Sequence, residues 1–201
     1  MRTKCLILAK SYKRRRDGKS GGRCVAGIVR DEHNGFRWVR LVADRFGESI
    51  LDSEFPFNPI DVIEVDLTPC PQKNHIENCT YEFPRKITTA STKQLKNIFD
   101  KLPHSFFGSM SNHFEGSPTN SLSILFAKDL RIYWRVENGN KPKVDFRMGN
   151  NEATRVAVTD PNYYVDPGNH EMRIPLAICV VSLPIDGPYY TKFVASIFPI
   201  E

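Results

Sequence analysis

Nowhere in the 201 residues does an apolar run approach the roughly 18 positions that a membrane helix needs. The N-terminal stretch Cys5-Leu6-Ile7-Leu8-Ala9 is closed at once by Lys10, too short for the apolar centre of a secretion signal. A soluble chain in the cytoplasm is the expectation. Cysteine is scarce and odd in number, with five widely spaced residues, which excludes the dense, even framework of a small secreted domain. Cys5, Cys24 and Cys179 each sit inside an apolar run, the usual setting of an inert buried thiol. There is no low-complexity tract, and the two halves share a layout but no alignable sequence repeat. The GxxxxGK[ST] pattern is also missing, which leaves a nucleoside-triphosphatase loop unsupported.

Acidic residues are rare at one end. Residues 1–40 hold twelve Lys and Arg against only Asp17, Asp31 and Glu32, although the whole chain is only +5. Basicity concentrated in one segment is what a polyanion-binding surface requires, and it would also serve as a solubilising face.

Fourteen Pro and twelve Gly favour short strands over long helices. Lys4–Lys10, Cys24–Val29, Phe36–Ala43 and the alternating Ile60–Leu67 read as four strands, with His33-Asn34-Gly35 as a hairpin turn. Ser91 or Thr92 caps a helix carrying Leu95, Ile98, Phe99 and Leu102 on one face, and Pro103 stops it. Ser121–Ala127, Leu130–Glu137, Val144–Met148, Ala153–Thr159, Ile174–Leu183 and Tyr190–Phe198 continue as strands. The fold class is therefore mainly β, as two small antiparallel barrels. Residues 1–87 form the first, 88–120 a helical and irregular connector, and 121–201 the second.

On the strand Leu130–Glu137 the face away from the core reads Arg131, Tyr133, Arg135. Cations flanking a ring suit phosphate contact and base stacking, with Asp145 on the next strand weakening the stripe. The loop between the first two strands brings five cations, Lys13, Arg14, Arg15, Arg16 and Lys19. In an oligonucleotide-binding barrel that loop borders the cleft. Arg37 and Arg40 add to the same basic segment. Cys70, His75 and Cys79 have the residue types of a zinc site but lack a fourth ligand, so no metal and no cofactor is expected. No nucleophile, base or carboxylate pair stands out, and no catalytic residue is expected.

The chain resembles the bacterial dual OB-containing domain family. The likeness rests on Cys5-Leu6-Ile7-Leu8-Ala9-Lys10-Ser11-Tyr12, Gly22-Arg23-Cys24-Val25-Ala26-Gly27, Arg37-Trp38-Val39-Arg40 and Asp61-Val62-Ile63-Glu64-Val65. It continues through His75, Glu77 and Asn78, Val158-Thr159-Asp160-Pro161, and Cys179-Val180-Val181-Ser182-Leu183 before Tyr189-Tyr190. It spans nearly the whole chain except Thr88–Asn120. The resemblance implies two tandem OB-like barrels, nucleic-acid or nucleotide recognition, and association with bacterial conflict or defence systems. His75, Glu77 and Asn78 either line a ligand cleft with Lys10 and Ser11 or satisfy a local turn.

The reading is thus a non-catalytic module for single-stranded DNA or RNA, with a possible protein partner in a defence complex and no membrane. A nucleotide or small-molecule sensor, or a docking subunit of a nuclease or ATPase complex, are the alternatives.

Overall fold

The computed structural model describes residues 2–13, 21–31, 35–72, 75–102, 104–114, 120–136, 141–164, 170–183 and 190–200. Two compact units emerge. One comprises residues 1–103 with 119–121, the other 104–118 with 122–201. The segment 88–120, set apart by sequence as a connector, is divided between them.

The first unit contains β1 (Arg2–Tyr12), β2 (Gly22–Asp31), β3 (Gly35–Val42), the short β4 (Ile50–Leu51), β5 (Asp61–Pro69) and β6 (Asn78–Thr89), followed by helix α1 (Thr92–Phe99). β1 pairs with both β2 and β5, β5 with β6, β6 with β3, and β3 with β2. The pairings therefore return to β1 and close a five-stranded ring, with β4 attached to β2. Every contact in the ring is antiparallel except β3 with β6.

The second unit repeats this plan. β8 (Leu122–Trp134), β9 (Lys143–Met148), β10 (Asn151–Val158), β11 (His170–Ser182) and β13 (Phe193–Pro199) form a closed barrel. Its single parallel contact joins the third and fifth of these strands, β10 and β13. A small ribbon of β7 (His113–Phe114) and β12 (Tyr190–Thr191) stands beside it. Three strands in a meander, then two more closing through one parallel pair, is a Greek-key connectivity, and two OB-like barrels are the architecture.

Alternation builds both cores. Cys5, Ile7, Val25, Val39, Leu41, Ile63 and Val65 fill the first barrel with Phe55 and Phe57 from the segment after β4. Leu130, Ile132, Trp134, Val144, Phe146, Val156 and Cys179 fill the second. Gly27 lies where β1 and β2 approach closely. A Cβ there would stand 2.5 Å from the Leu6 carbonyl oxygen and 2.8 Å from Cys5 Sγ, so any larger residue would force the strands apart.

Several boundaries differ from the sequence reading, each for a physical reason. β6 is a strand of 12 residues that alternation does not reveal, because most of its side chains beyond Cys79 face solvent. Where the sequence suggests two strands, Ser121–Ala127 and Leu130–Glu137, the single strand β8 runs through Leu122–Trp134 and pairs with β11 in one register. A bulge opposite β9, with Asp129 at φ 52°, interrupts its hydrophobic pattern. Val136, which alternation along the sequence groups with Leu130, Ile132 and Trp134, is exposed.

Candidate nucleic-acid interface

At one end of the first barrel, β1 and β2 run out into the basic loop. The last pair in their register is Tyr12 with Arg23. The Arg23 guanidinium lies over the Tyr12 ring, 4.1 Å from its centroid. Its Nη2 donates to Asp52 Oδ2 at 2.9 Å, and Lys10 Nζ approaches the other oxygen of that carboxylate at 2.7 Å. Burial pushes the Asp52 carboxyl up. The hydrogen bonds and charges of Lys10 and Arg23 outweigh it and hold the group below its ordinary range. Two cations share one carboxylate, so the cluster keeps a positive excess.

The loop between β3 and β4 closes over the same end. Lys13 Nζ donates to the Gly47 carbonyl at 3.4 Å. Asp44 accepts from the N–H groups of Phe46 and Glu48, fixing a tight turn. Gly47 has φ +78°, and a Cβ there would meet the Gln72 side-chain oxygen at 2.7 Å, so this loop packs directly on the one joining β5 and β6. The turn leaves Phe46 59% exposed, with the Arg45 guanidinium over its ring at 4.9 Å. Tyr12 is 40% exposed. Two outward aromatic rings, each attended by a guanidinium, therefore stand around Lys13. Lys13, just after the first barrel strand, and Gln72, after the fourth, both lie against Gly47, at the end of the barrel where OB-type folds engage oligonucleotides. The sequence reading missed Phe46 and Arg45, because the three phenylalanines of the Pro-containing segment Asp44–Pro59 follow no period that separates the exposed Phe46 from Phe55 and Phe57 in the core.

The other proposed residues fall into separate places. Arg14, Arg15, Arg16 and Lys19 lie outside the described residues. Arg37 belongs to the opposite end of the barrel. It pairs with Val29, which in turn faces Cys5, and its guanidinium meets the Cys79 thiol. Arg40 must be corrected, since it is only 2% exposed and presents no surface to a ligand. Its Nη2 donates to Ser121 Oγ and its Nη1 to Cys24 Sγ, both at 2.6 Å, while Nε lies 3.5 Å from Glu77 Oε1. Ser121 also donates to Glu77. Arg40 shares parity with Trp38, and this outer face of β2 and β3 is covered, with Ala26, Ile28 and Trp38 all buried.

The alternative pocket is corrected for a related reason. Lys10 and Ser11 are consecutive on β1, so their side chains leave opposite faces. Lys10 reaches the barrel interior and donates to the Phe55 carbonyl at 2.6 Å. Ser11 pairs with Cys24, on the side of the Arg40–Glu77 contact. His75, Glu77 and Asn78 are buried, with the Asn78 N–H donating to the His75 carbonyl in a turn. Lys10 thus joins Arg23 on Asp52, whereas Ser11 and Glu77 lie on the side of Arg40, so the five residues line no common cleft. Cys70, His75 and Cys79 form no metal-ligand cluster among the described residues, and Cys79 points into the barrel core.

In the second barrel, Arg131, Tyr133 and Arg135 do share one face. Both guanidinium groups lie over the Tyr133 ring, at 5.3 and 5.4 Å. Asp145 ties this row down, accepting from Arg131 Nη2 at 2.5 Å, Tyr133 Oη at 3.3 Å and the Arg155 N–H at 2.7 Å. Burial, then the Asp145 charge and hydrogen bond, push the Tyr133 hydroxyl up. A base stacking on Tyr133 would have to compete with these guanidinium groups, so the ring is a more occupied platform than Phe46.

No curated protein sequence matches the chain. Among solved structures, the crystal structure of the tetrameric p202 HIN2 is similar with a TM-score of 0.39 and 9% identity, over 100% of this chain and 94% of that one. That likeness is too slight to carry an argument. The model of the dual OB-containing domain matches residues 3–197. With that match across almost all its length, the chain belongs to the dual OB-containing domain family.

Proposed function

We propose that the loop end of the first barrel binds single-stranded nucleic acid without chemistry of its own. The observation that carries this reading is the pair of exposed rings, Tyr12 and Phe46, each attended by a guanidinium, around Lys13 at the root of a loop with four further cations in its sequence. Single strands offer unstacked bases to rings and phosphates to cations, whereas a duplex hides its base faces. The Arg131–Tyr133–Arg135 row of the second barrel supplies additional backbone contacts in this reading. The resemblance stated above extends the proposal to a module acting in the cytoplasm beside a protein partner in a defence complex.

The test is fluorescence anisotropy with a labelled single strand of DNA, one of RNA, and a duplex of the same sequence. A single strand should bind more tightly than the duplex, and Phe46→Ala should cost about 1–3 kcal/mol if a base stacks there. Absence of binding to either single strand at low salt refutes the proposal.

A further inference from the structure

We infer that the first barrel carries a second, separate site, a cleft under helix α1 that takes a small amphipathic anion with an apolar body ending in a carboxylate. This inference does not rest on the nucleic-acid reading. The cleft has a volume of about 420 Å³, within the range of small-molecule pockets. Its floor is the outer face of the sheet, where Leu6 of β1, Ile28 of β2 and Val62 of β5 lie side by side. Phe36 and Ile98 wall it. The helix is held by Leu95 and Phe99, both buried, and its start is fixed by the Ser91–Gln94 capping box. Ile98 and the amides of Gln94 and Asn97 are left along its flank, facing the cleft. Walls this apolar give water few partners, so an apolar body that displaces it gains the transfer free energy of the covered surface.

The rim decides the charge of the occupant. Lys4 and Arg30 both line the cleft. The β1–β2 register, whose last rung here is Cys5–Val29, places them opposite each other when continued by one step. Like charges directly opposite on neighbouring strands destabilise a sheet. The carboxylate placed to relieve them is Glu64, opposite Lys4 in the β1–β5 register. Glu64 is already taken by Arg2 at 3.4 Å and Arg85 at 2.9 Å. Among the described residues, no ion pair joins Lys4 or Arg30 to a carboxylate. An anionic head between these two cations, with its apolar tail over Leu6, Ile28 and Val62, meets both demands at once.

The experiment is calorimetric titration of the full chain with dodecanoate and, separately, with dodecanol, both below their aggregation concentrations. The carboxylate should bind the parent at least about tenfold more tightly than the alcohol. Lys4→Ser with Arg30→Ser should reduce the carboxylate to the affinity of the alcohol. Ile98→Trp, which fills the cleft from a half-buried position, should weaken both. The circular dichroism spectrum and melting temperature confirm that each variant is folded, and the substituted residues all lie outside the barrel core. Equal binding of the two ligands to the parent, no binding of dodecanoate, or binding indifferent to Ile98→Trp overturns the proposal. Anisotropy with a labelled single strand in saturating dodecanoate separates the two sites, and unchanged oligonucleotide affinity is the expected result. Competition there would mean that dodecanoate occupies the nucleic-acid surface instead.

Discussion

Arg23 and Tyr12, paired at the last rung of the β1–β2 ribbon, stack with the guanidinium carbon 4.1 Å from the ring centroid. Arg23 is held from the other side by Asp52, so the ring rests against a fixed cation rather than a wandering one. Phe46 and Arg45 repeat the arrangement on the neighbouring loop, within reach of Lys13. Stacking on such a ring is tolerant of base identity, because every base has a π face. Sequence tolerance with strong salt dependence is therefore the expected signature.

That signature divides by residue. Replacing Arg14, Arg15 and Arg16 with Ala should weaken single-strand binding and flatten the log affinity against log salt plot by roughly two units, at about 0.7 per lost phosphate contact. Tyr12→Ala and Phe46→Ala should each lower affinity with the slope nearly unchanged, since neither removes a charge. Tyr133→Ala should cost less than Phe46→Ala, because Arg131 and Arg135 already attend the Tyr133 ring. Anisotropy at four salt concentrations reads all of these. A triple variant that matches the parent at every salt concentration would show the loop to be a solvated run.

The barrels were legible in the sequence where one face of a strand is buried and the other is wet. Ile63 and Val65 alternate with Glu64 and Asp66, and Leu130, Ile132 and Trp134 alternate with Arg131 and Tyr133. β6 was not legible, because its pairing with β5 holds it in place while its side chains remain largely in water. Of the site, the basic loop and the Arg131–Tyr133–Arg135 row could be read from local pattern. Arg40 could not, since its burial depends on Glu77 and on Ser121, 81 residues away. Phe46 could not either. Its exposure is set by the Asp44 turn and by Gly47 packing on Gln72, neither of which is a periodic feature.

The Arg40–Glu77 contact gives a stability prediction. Both side chains are almost wholly buried, and removing one strands the other in a poorly solvating interior. Arg40→Ala should destabilise the chain by about 3–5 kcal/mol in urea denaturation. Adding Glu77→Leu to an Arg40→Met variant should recover much of that loss, since no unpaired charge is left. If the double variant is no more stable than Arg40→Ala, the bonds to Ser121 and Cys24 dominate instead.

Asp61 gives a prediction for acid pH. Burial pushes its carboxyl up, but the Asn58 N–H, Lys86 and Thr89 together bring it below the ordinary value of 3.8. Lys86 Nζ lies at 2.6 Å and Thr89 Oγ1 at 2.9 Å. A carboxylate whose folded value is depressed stabilises the fold above its unfolded value, and that contribution disappears as pH falls through the folded one. Asp61→Asn should therefore be less stable than the parent at neutral pH, by about 1–3 kcal/mol. The difference should close below pH 3.8. A gap that persists unchanged into acid would assign the loss to geometry rather than charge.

Lys192 makes the opposite kind of prediction, at alkaline pH. Its side chain is fully buried in the second unit, donating to the carbonyls of Phe106 at 2.7 Å and Ser109 at 2.6 Å, with the ammonium 4.3 Å from the Phe106 ring centroid. Burial lowers the amine from 10.5 to about 8. Between those two values the unfolded chain binds a proton that the folded chain does not, so the folded state gains stability as pH rises. Lys192→Met removes the titration while keeping an apolar side chain of similar length. It also leaves two carbonyl acceptors without their donor, at about 1–3 kcal/mol. Chemical denaturation of parent and variant from pH 7 to 10 should show the difference shifting in the parent's favour above about pH 8, with a slope no steeper than about 1.4 kcal/mol per pH unit. Below pH 8 the difference should stay flat, because the amine is then protonated in both states. Parallel curves across the whole range would mean that Lys192 keeps an ordinary affinity for its proton, and that the carbonyls of Phe106 and Ser109 compensate its burial in full.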